Sequence, residues 1–164
     1  MGNFDVAQIC LSGHIINTYA GSEPYNNKNF CTSCGEKTIT KCLTCEHEIR
    51  GEYSVTDWTE YGSHLEGQFE VPSYCSECGE AYPWTLTRIE SAQELARELE
   101  GLREDERELL ANSIPDLIKD SPRTPVAVTR FKKLTSKLGS PTLFLFKDIL
   151  FDVVKEGVKK AIFE

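Results

Sequence analysis

CTSCGEKTITKCLTC, residues 31–45, carries two cysteine pairs of the same form, Cys31/Cys34 and Cys42/Cys45. Two residues between partners let one tight turn present both thiolates to a single metal ion. Further along the chain the same spacing returns in CSECG as Cys75/Cys78, while the seventh cysteine, Cys10, stands alone upstream in CLSGH. Tetrahedral zinc takes four ligands, so three pairs leave two sites short of two donors. Cys10 and His14 supply them, with Gly13 permitting the sharp turn that brings both side chains onto one ion. The expected ligands are therefore Cys10, His14, Cys31, Cys34, Cys42, Cys45, Cys75 and Cys78, holding two structural Zn2+ ions.

Two groupings use these residues. A sequential one puts the first four on one ion and the last four on the other; a cross-braced one joins the first knuckle to the third and the second to the fourth. The sequential order is the one double zinc ribbons commonly show, and it is the expectation here. His47, two residues past Cys45, is a substitute ligand should His14 be a surface residue; otherwise His47 and His64 are both read as surface residues. Sites with four protein donors are closed and hence structural, because a catalytic zinc keeps one position for water. Ribbons of this size have little core, and ligation supplies on the order of 10 kcal/mol per ion.

The chain has 164 residues and 40% hydrophobic content, which suits one medium domain or two small ones. It shows no early basic-then-apolar segment and no apolar run of spanning length, so a cytosolic protein without membrane contact is expected. An odd cysteine count without an export signal favours metal over disulfides. Every cysteine, histidine and tryptophan lies before residue 90, and helical periodicity follows. The expected domains are a small zinc-stabilised β domain of two ribbons, residues 1–90, and an all-α helical bundle, residues 91–164.

Within the first domain GEYSV and GQFEV read as strands, and YAGSEPYNNKN as a turn-rich loop. In the second, SAQE at 91–94 fits a capping box opening a helix with Leu95, Leu99 and Leu102 on one face. A second helix over 103–120 is apolar at Leu109, Leu110, Ile114, Leu117 and Ile118, with Pro115 set to kink or break it. Pro125 opens a third, striped by Ala127, Phe131, Leu134 and Leu138 and stopped by Gly139. Ser140 and Pro141 start a last helix with Phe146, Leu150, Val153 and Gly157 on one face, and the chain is expected to be a homo-oligomer through this helix.

A formal net charge of −8 argues against a nucleic-acid partner, since phosphate contacts dominate such affinity. Its distribution reverses the argument for one segment. Residues 1–90 hold 5 Lys/Arg against 13 Asp/Glu and residues 91–164 hold 13 of each, yet residues 121–147 carry six Lys/Arg and no acid. Arg130, Lys133 and Lys137 recur at helical spacing beside the apolar stripe, and Arg123 sits in a stiff turn between Pro122 and Pro125. Arg offers phosphate a bidentate contact and Lys a point charge. Arg123, Arg130, Lys132, Lys133 and Lys137 are thus the candidate RNA-binding residues. The competing reading pairs them with the acidic 104–108 run or with the acidic ribbon half. Cleavage of RNA also requires a base. Residues 91–164 contain no histidine; Asp120, Thr124 and Thr129 are the nearby polar groups, with His47 or His64 to be brought in by folding, and no catalytic residue is assigned.

Taken together, FDVAQICLSGH, FCTSCGEKTITKC, YCSECGEAYPWT and DSPRTPVAVTRFKK resemble a bacterial protein family of unknown function, each member a double zinc ribbon with a helical C-terminal region. The resemblance runs over most of the chain. It implies Cys10 and His14 as a ligand pair and marks Arg123, Arg130 and Lys132 as part of the family's motif. The architecture is also similar to bacterial defence effectors in which a zinc finger senses a phage component and an attached domain attacks RNA. On that analogy the ribbon half, with Trp58 and Tyr61 exposed, binds a protein trigger, and the basic segment acts on RNA as a ribonuclease in stress or phage defence. The rival expectation is a non-catalytic zinc-ribbon adaptor that binds only proteins.

Overall fold

Turns interrupt the N-terminal part of the chain every few residues, and its strands are correspondingly short. The computed structural model describes residues 3–54, 69–119, 121–151, 154 and 156–163. The chain forms two units, Met1–Leu86 and Thr87–Glu164. In the first, β1 (Asn3–Val6) pairs antiparallel with β5 (Arg50–Ser54), and β2 (Gln8–Cys10) lies antiparallel between β3 (Ile15–Asn17) and β4 (Thr38–Ile39). The GEYSV expectation is met by β5. The described part of GQFEV, Phe69–Val71, is not a strand; Phe69 and Val71 instead lay their side chains on the core. That core is small: Ala7, Ile9, Ile49, Tyr82 and Trp84, with the ligand cysteines Cys42 and Cys75.

Two close approaches hold this unit together. Gly51 in β5 touches backbone directly, for a Cβ there would stand 2.3 Å from the Thr18 carbonyl oxygen and 2.7 Å from the Val6 carbonyl carbon. In the turn-rich loop, which contains a single 3-10 turn at Pro24–Asn26, the buried Asn17 amide donates to the Glu23 carbonyl (3.0 Å) and to Asn27 Oδ1 (2.8 Å) and accepts from the Tyr19 N–H (2.9 Å). A buried amide satisfied on every side fixes the loop as firmly as apolar packing would.

The first helix, α1 (Pro83–Glu98), starts well before the expected capping box, and Ser91 lies in its interior. Proline at the first turn presets the helical φ and needs no N–H partner. The Trp84 indole donates to the Pro72 carbonyl (2.9 Å) and the Thr85 hydroxyl to the Ser73 carbonyl (2.8 Å), fastening that turn to the segment before the last knuckle. Such tertiary contacts leave no mark on local periodicity.

α2 (Glu104–Ile118) is capped at Arg103, whose N–H donates to Glu106 Oε2 at 3.2 Å, and three acids in its first turn complement the helix dipole. Pro115 neither ends nor splits it. The carbonyl left without an N–H by that proline is Ala111's, and Gln93 Nε2 of α1 donates to it at 3.2 Å. α3 (Thr124–Thr135) buries Ala127, Phe131 and Leu134 as expected but stops short of Leu138, which is only partly buried. The expected single last helix is two, α4 (Ser140–Phe151) and α5 (Glu156–Phe163). Phe146 and Leu150 of α4 and Val158 and Ile162 of α5 are buried, as is Val154 between the two helices; Gly157 is exposed, and Val153 lies outside the described residues. Phe131 and Phe146 stack with centroids 5.8 Å apart. Among the described residues no helix is long and apolar enough to cross a membrane.

Candidate metal centres

The three Cys-x-x-Cys knuckles are one structure repeated. In each, the N–H of the first cysteine donates to the carbonyl five residues on: Cys31 to Glu36, Cys42 to His47 and Cys75 to Glu80, all at 2.8 Å. The residue after the second cysteine donates back to the first, Gly35 to Cys31 at 2.9 Å, Glu46 to Cys42 and Gly79 to Cys75 at 3.0 Å. Closing this loop needs a left-handed residue, supplied by Gly35 and Gly79 (φ 76°) and, against its preference, by Glu46 (φ 61°). The Cys10/His14 knuckle is the same device one residue shorter. Gly13 (φ 90°) donates to the Cys10 carbonyl at 2.8 Å, and the second ligand follows the left-handed residue instead of preceding it.

The short bridges Phe30–Lys37, Lys41–Glu48 and Tyr74–Ala81 each close one Cys-x-x-Cys knuckle, pairing of β2 with β4 sets the first knuckle beside the second, and the four knuckles group in sequential order. Cys10, His14, Cys31 and Cys34 form one cluster and Cys42, Cys45, Cys75 and Cys78 the other, with the donor atoms of each within 4.8 Å of one another. Whether zinc fits is a question of edges. Sulfurs about 2.3 Å and nitrogens about 2.0–2.1 Å from one tetrahedral ion stand about 3.8 Å apart sulfur to sulfur and about 3.6 Å sulfur to nitrogen. The observed edges are 3.7 Å for Cys10–Cys34, 3.8 Å for Cys42–Cys78 and 3.6 Å for Cys45–Cys75. His14 Nδ1 lies 3.5 Å from Cys10 Sγ and 3.6 Å from Cys31 Sγ. Disulfides, with sulfurs about 2.05 Å apart, are far from this geometry. The two clusters therefore fit two structural zinc ions, each cross-linking two knuckles.

Backbone donors and crowding set the charge of these thiols. Burial raises the Cys31 thiol, but the N–H groups of Ser33 and Cys34 outweigh it and bring it down to about 6. Cys75 is also lowered to about 6, first by the Cys78 N–H, against burial. Cys45 is pushed up to about 12: the His47 N–H favours its thiolate, yet burial and the neighbouring sulfurs of Cys78, Cys75 and Cys42 prevail. Thiolates this close repel, and a divalent cation among them reverses the sign of that interaction.

Support around the second cluster comes from residues the ligand spacing does not reveal. Tyr82 stacks on Trp84 at 4.6 Å, and burial followed by the nearby Cys75 raises its hydroxyl's pKa, keeping it a donor toward sulfur. The signal lay in YPWT, a proline flanked by two aromatics directly after the last knuckle. His47 belongs to neither cluster; its Nδ1 faces Glu77 Oε2 at 4.0 Å on the surface. His64, Trp58, Tyr61 and Asp120 lie outside the described residues.

The five basic candidates divide. Arg123 Nε donates to Asp116 Oδ2 at 3.0 Å, and Lys137 donates to Glu106, a mostly buried carboxylate that this ammonium and then the Arg103 N–H hold at about 2. Arg130, Lys132 and Lys133 make no ion pair among the described residues. Lys132 and Lys133 are exposed on α3, and Arg130, one turn before the buried Leu134, is half-buried. Of the nearby hydroxyls, Thr124 is buried and donates to the Lys119 carbonyl, and Thr129 donates to the Pro125 carbonyl.

Two tetrahedral clusters on four knuckles, followed by helices, define a zinc-ribbon protein with a helical C-terminal region. The model of a family described as "Uncharacterized protein conserved in bacteria (DUF2321)" matches residues 3–162, and the chain belongs to that family. No curated protein and no solved structure matches it.

Proposed function

We propose that this protein is a zinc-ribbon effector that engages RNA through the outer side of α3, with Arg130, Lys132 and Lys133 as the contacting cations. The observation that carries the reading is that Lys132 and Lys133, in an acid-free segment, stand exposed on a helix whose other side is fixed by Phe131 and Leu134, with Arg130 half-buried one turn before Lys133. A rigid helix presenting unneutralised charge is what phosphate recognition requires. Arg123 and Lys137 contribute by positioning α3, since each is tied to α2. The ribbon half takes the protein trigger in this scheme, and strand cleavage under stress or phage challenge is the effector step.

The first test is fluorescence anisotropy of the full zinc-loaded chain with single-stranded RNA across a salt series. Three phosphate contacts predict a log–log salt slope of about −2. Lys132→Glu/Lys133→Glu is expected to weaken binding by about tenfold or more at low salt. Absence of binding at low salt, or binding that ignores this double variant, overturns the reading. Total-RNA integrity in challenged cells then separates cleavage from binding.

One observation favours a second reading, that of a non-catalytic adaptor. The Arg123–Asp116 and Lys137–Glu106 pairs already commit two of the five basic residues to holding α3 on α2. Pull-down of protein partners that survives ribonuclease treatment supports the adaptor.

A further inference from the structure

The outer face of α4 has a pattern that none of the preceding readings uses. Phe144 is 68% exposed and Phe151 49% exposed, an unusual pair for a helix whose other face is buried through Phe146 and Leu150. At about 100° per residue, Phe144, Lys147, Asp148 and Phe151 share about 100° of arc on one side of the helix. Asp148 is exposed, Lys147 is half-buried at the margin, and the Lys159 ammonium covers one side of the Phe151 ring at 4.4 Å.

Read along the helix this face is aromatic, cation, anion, aromatic; read backwards it is aromatic, anion, cation, aromatic. A surface whose reversal is its own charge complement fits itself about a two-fold axis. We propose that α4 is a homodimer contact, in which two copies of the chain cross antiparallel with the axis between Lys147 and Asp148. In that register Phe144 of each copy meets Phe151 of the other, and Lys147 of each meets Asp148 of the other. The phenylalanines, about 10 Å apart along the helix, form two apolar contacts flanking the paired charges. A foreign partner would require no such symmetry, and a parallel arrangement would set like charges against each other. This inference stands apart from the RNA reading: it concerns other residues and neither depends on the other.

Sedimentation equilibrium of the full zinc-loaded chain is expected to show a species of twice the 18.5 kDa chain mass, in concentration-dependent exchange with the monomer. Phe144→Ser is expected to weaken association at least tenfold with unchanged helical circular dichroism. The decisive test is a charge swap. Lys147→Asp alone and Asp148→Lys alone each place like charges across the axis and are expected to be monomeric, while an equimolar mixture of the two variants recovers the dimer. A wild-type chain that stays monomeric at its highest soluble concentration overturns the proposal. So does a dimer indifferent to Phe144→Ser, or a mixture that associates no better than its components.

Discussion

The two units are held by different forces. Among the described residues the ribbon core joins seven buried residues, two of them cysteines of the second metal cluster, whereas the helical core joins seventeen buried apolar residues and no ligand. In the first unit, metal ligation replaces the burial that short strands cannot provide; in the second, burial suffices. The same chain should therefore respond to chelators in one half and to core truncation in the other.

Removing zinc is the largest perturbation available. Cys75→Ser, or chelation of the wild type, is expected to cost on the order of 10 kcal/mol at the affected site and to unfold the ribbon. Limited proteolysis should then cut before residue 86 while fragments from the helical unit persist. Simultaneous collapse of both halves would erase the contrast. Phe131→Ala is the reciprocal change: a loss of about 3–5 kcal/mol in the helical unit, by chemical denaturation, with zinc content unchanged. Gly51→Ala reaches the ribbon by another route, forcing a methyl against the Thr18 and Val6 backbone, and should cost about 3 kcal/mol or more with all eight ligands intact.

Acid acts on the helical unit through a paired carboxyl. The Glu106 carboxyl is lowered from 4.5 to about 2, chiefly by Lys137, so it takes up its proton less readily folded than unfolded. Its stabilising contribution is complete above about 4.5 and is lost as the pH falls toward about 2. Glu106→Gln should flatten that part of the helical unit's acid transition, followed by circular dichroism. The smallest effect expected is a gain. Glu46→Gly relieves the left-handed strain in the third knuckle, offset in part by a freer unfolded chain, for a net stabilisation of about 0.5–1 kcal/mol.

What could be read from sequence follows the range of the forces involved. Cysteine spacing is a local constraint, so the knuckles, the ligand set and the sequential grouping were all legible, as was the sequence of ribbon then helices. Glycine after the second cysteine was legible twice; in CLTCE it was replaced, and only the backbone shows Glu46 taking the same conformation. Where tertiary contacts decide, the sequence was silent. Helix α1 starts at Pro83 because Trp84 and Thr85 bond to the preceding segment. Pro115 is accommodated in the helix, with Gln93 donating to the Ala111 carbonyl that the proline leaves without a partner. For the basic segment the sequence left two readings open, and packing decides between them at Lys137, which pairs with Glu106 of the acidic 104–108 run.

Everything here turns on two closed zinc sites. Zinc K-edge X-ray absorption on the purified 164-residue chain, with metal content measured on the same sample, tests them most directly. Two zinc ions per chain are expected, sharing seven sulfur and one nitrogen donors, with Zn–S distances of about 2.3 Å. One ion per chain, or a first shell containing water oxygen, would contradict it.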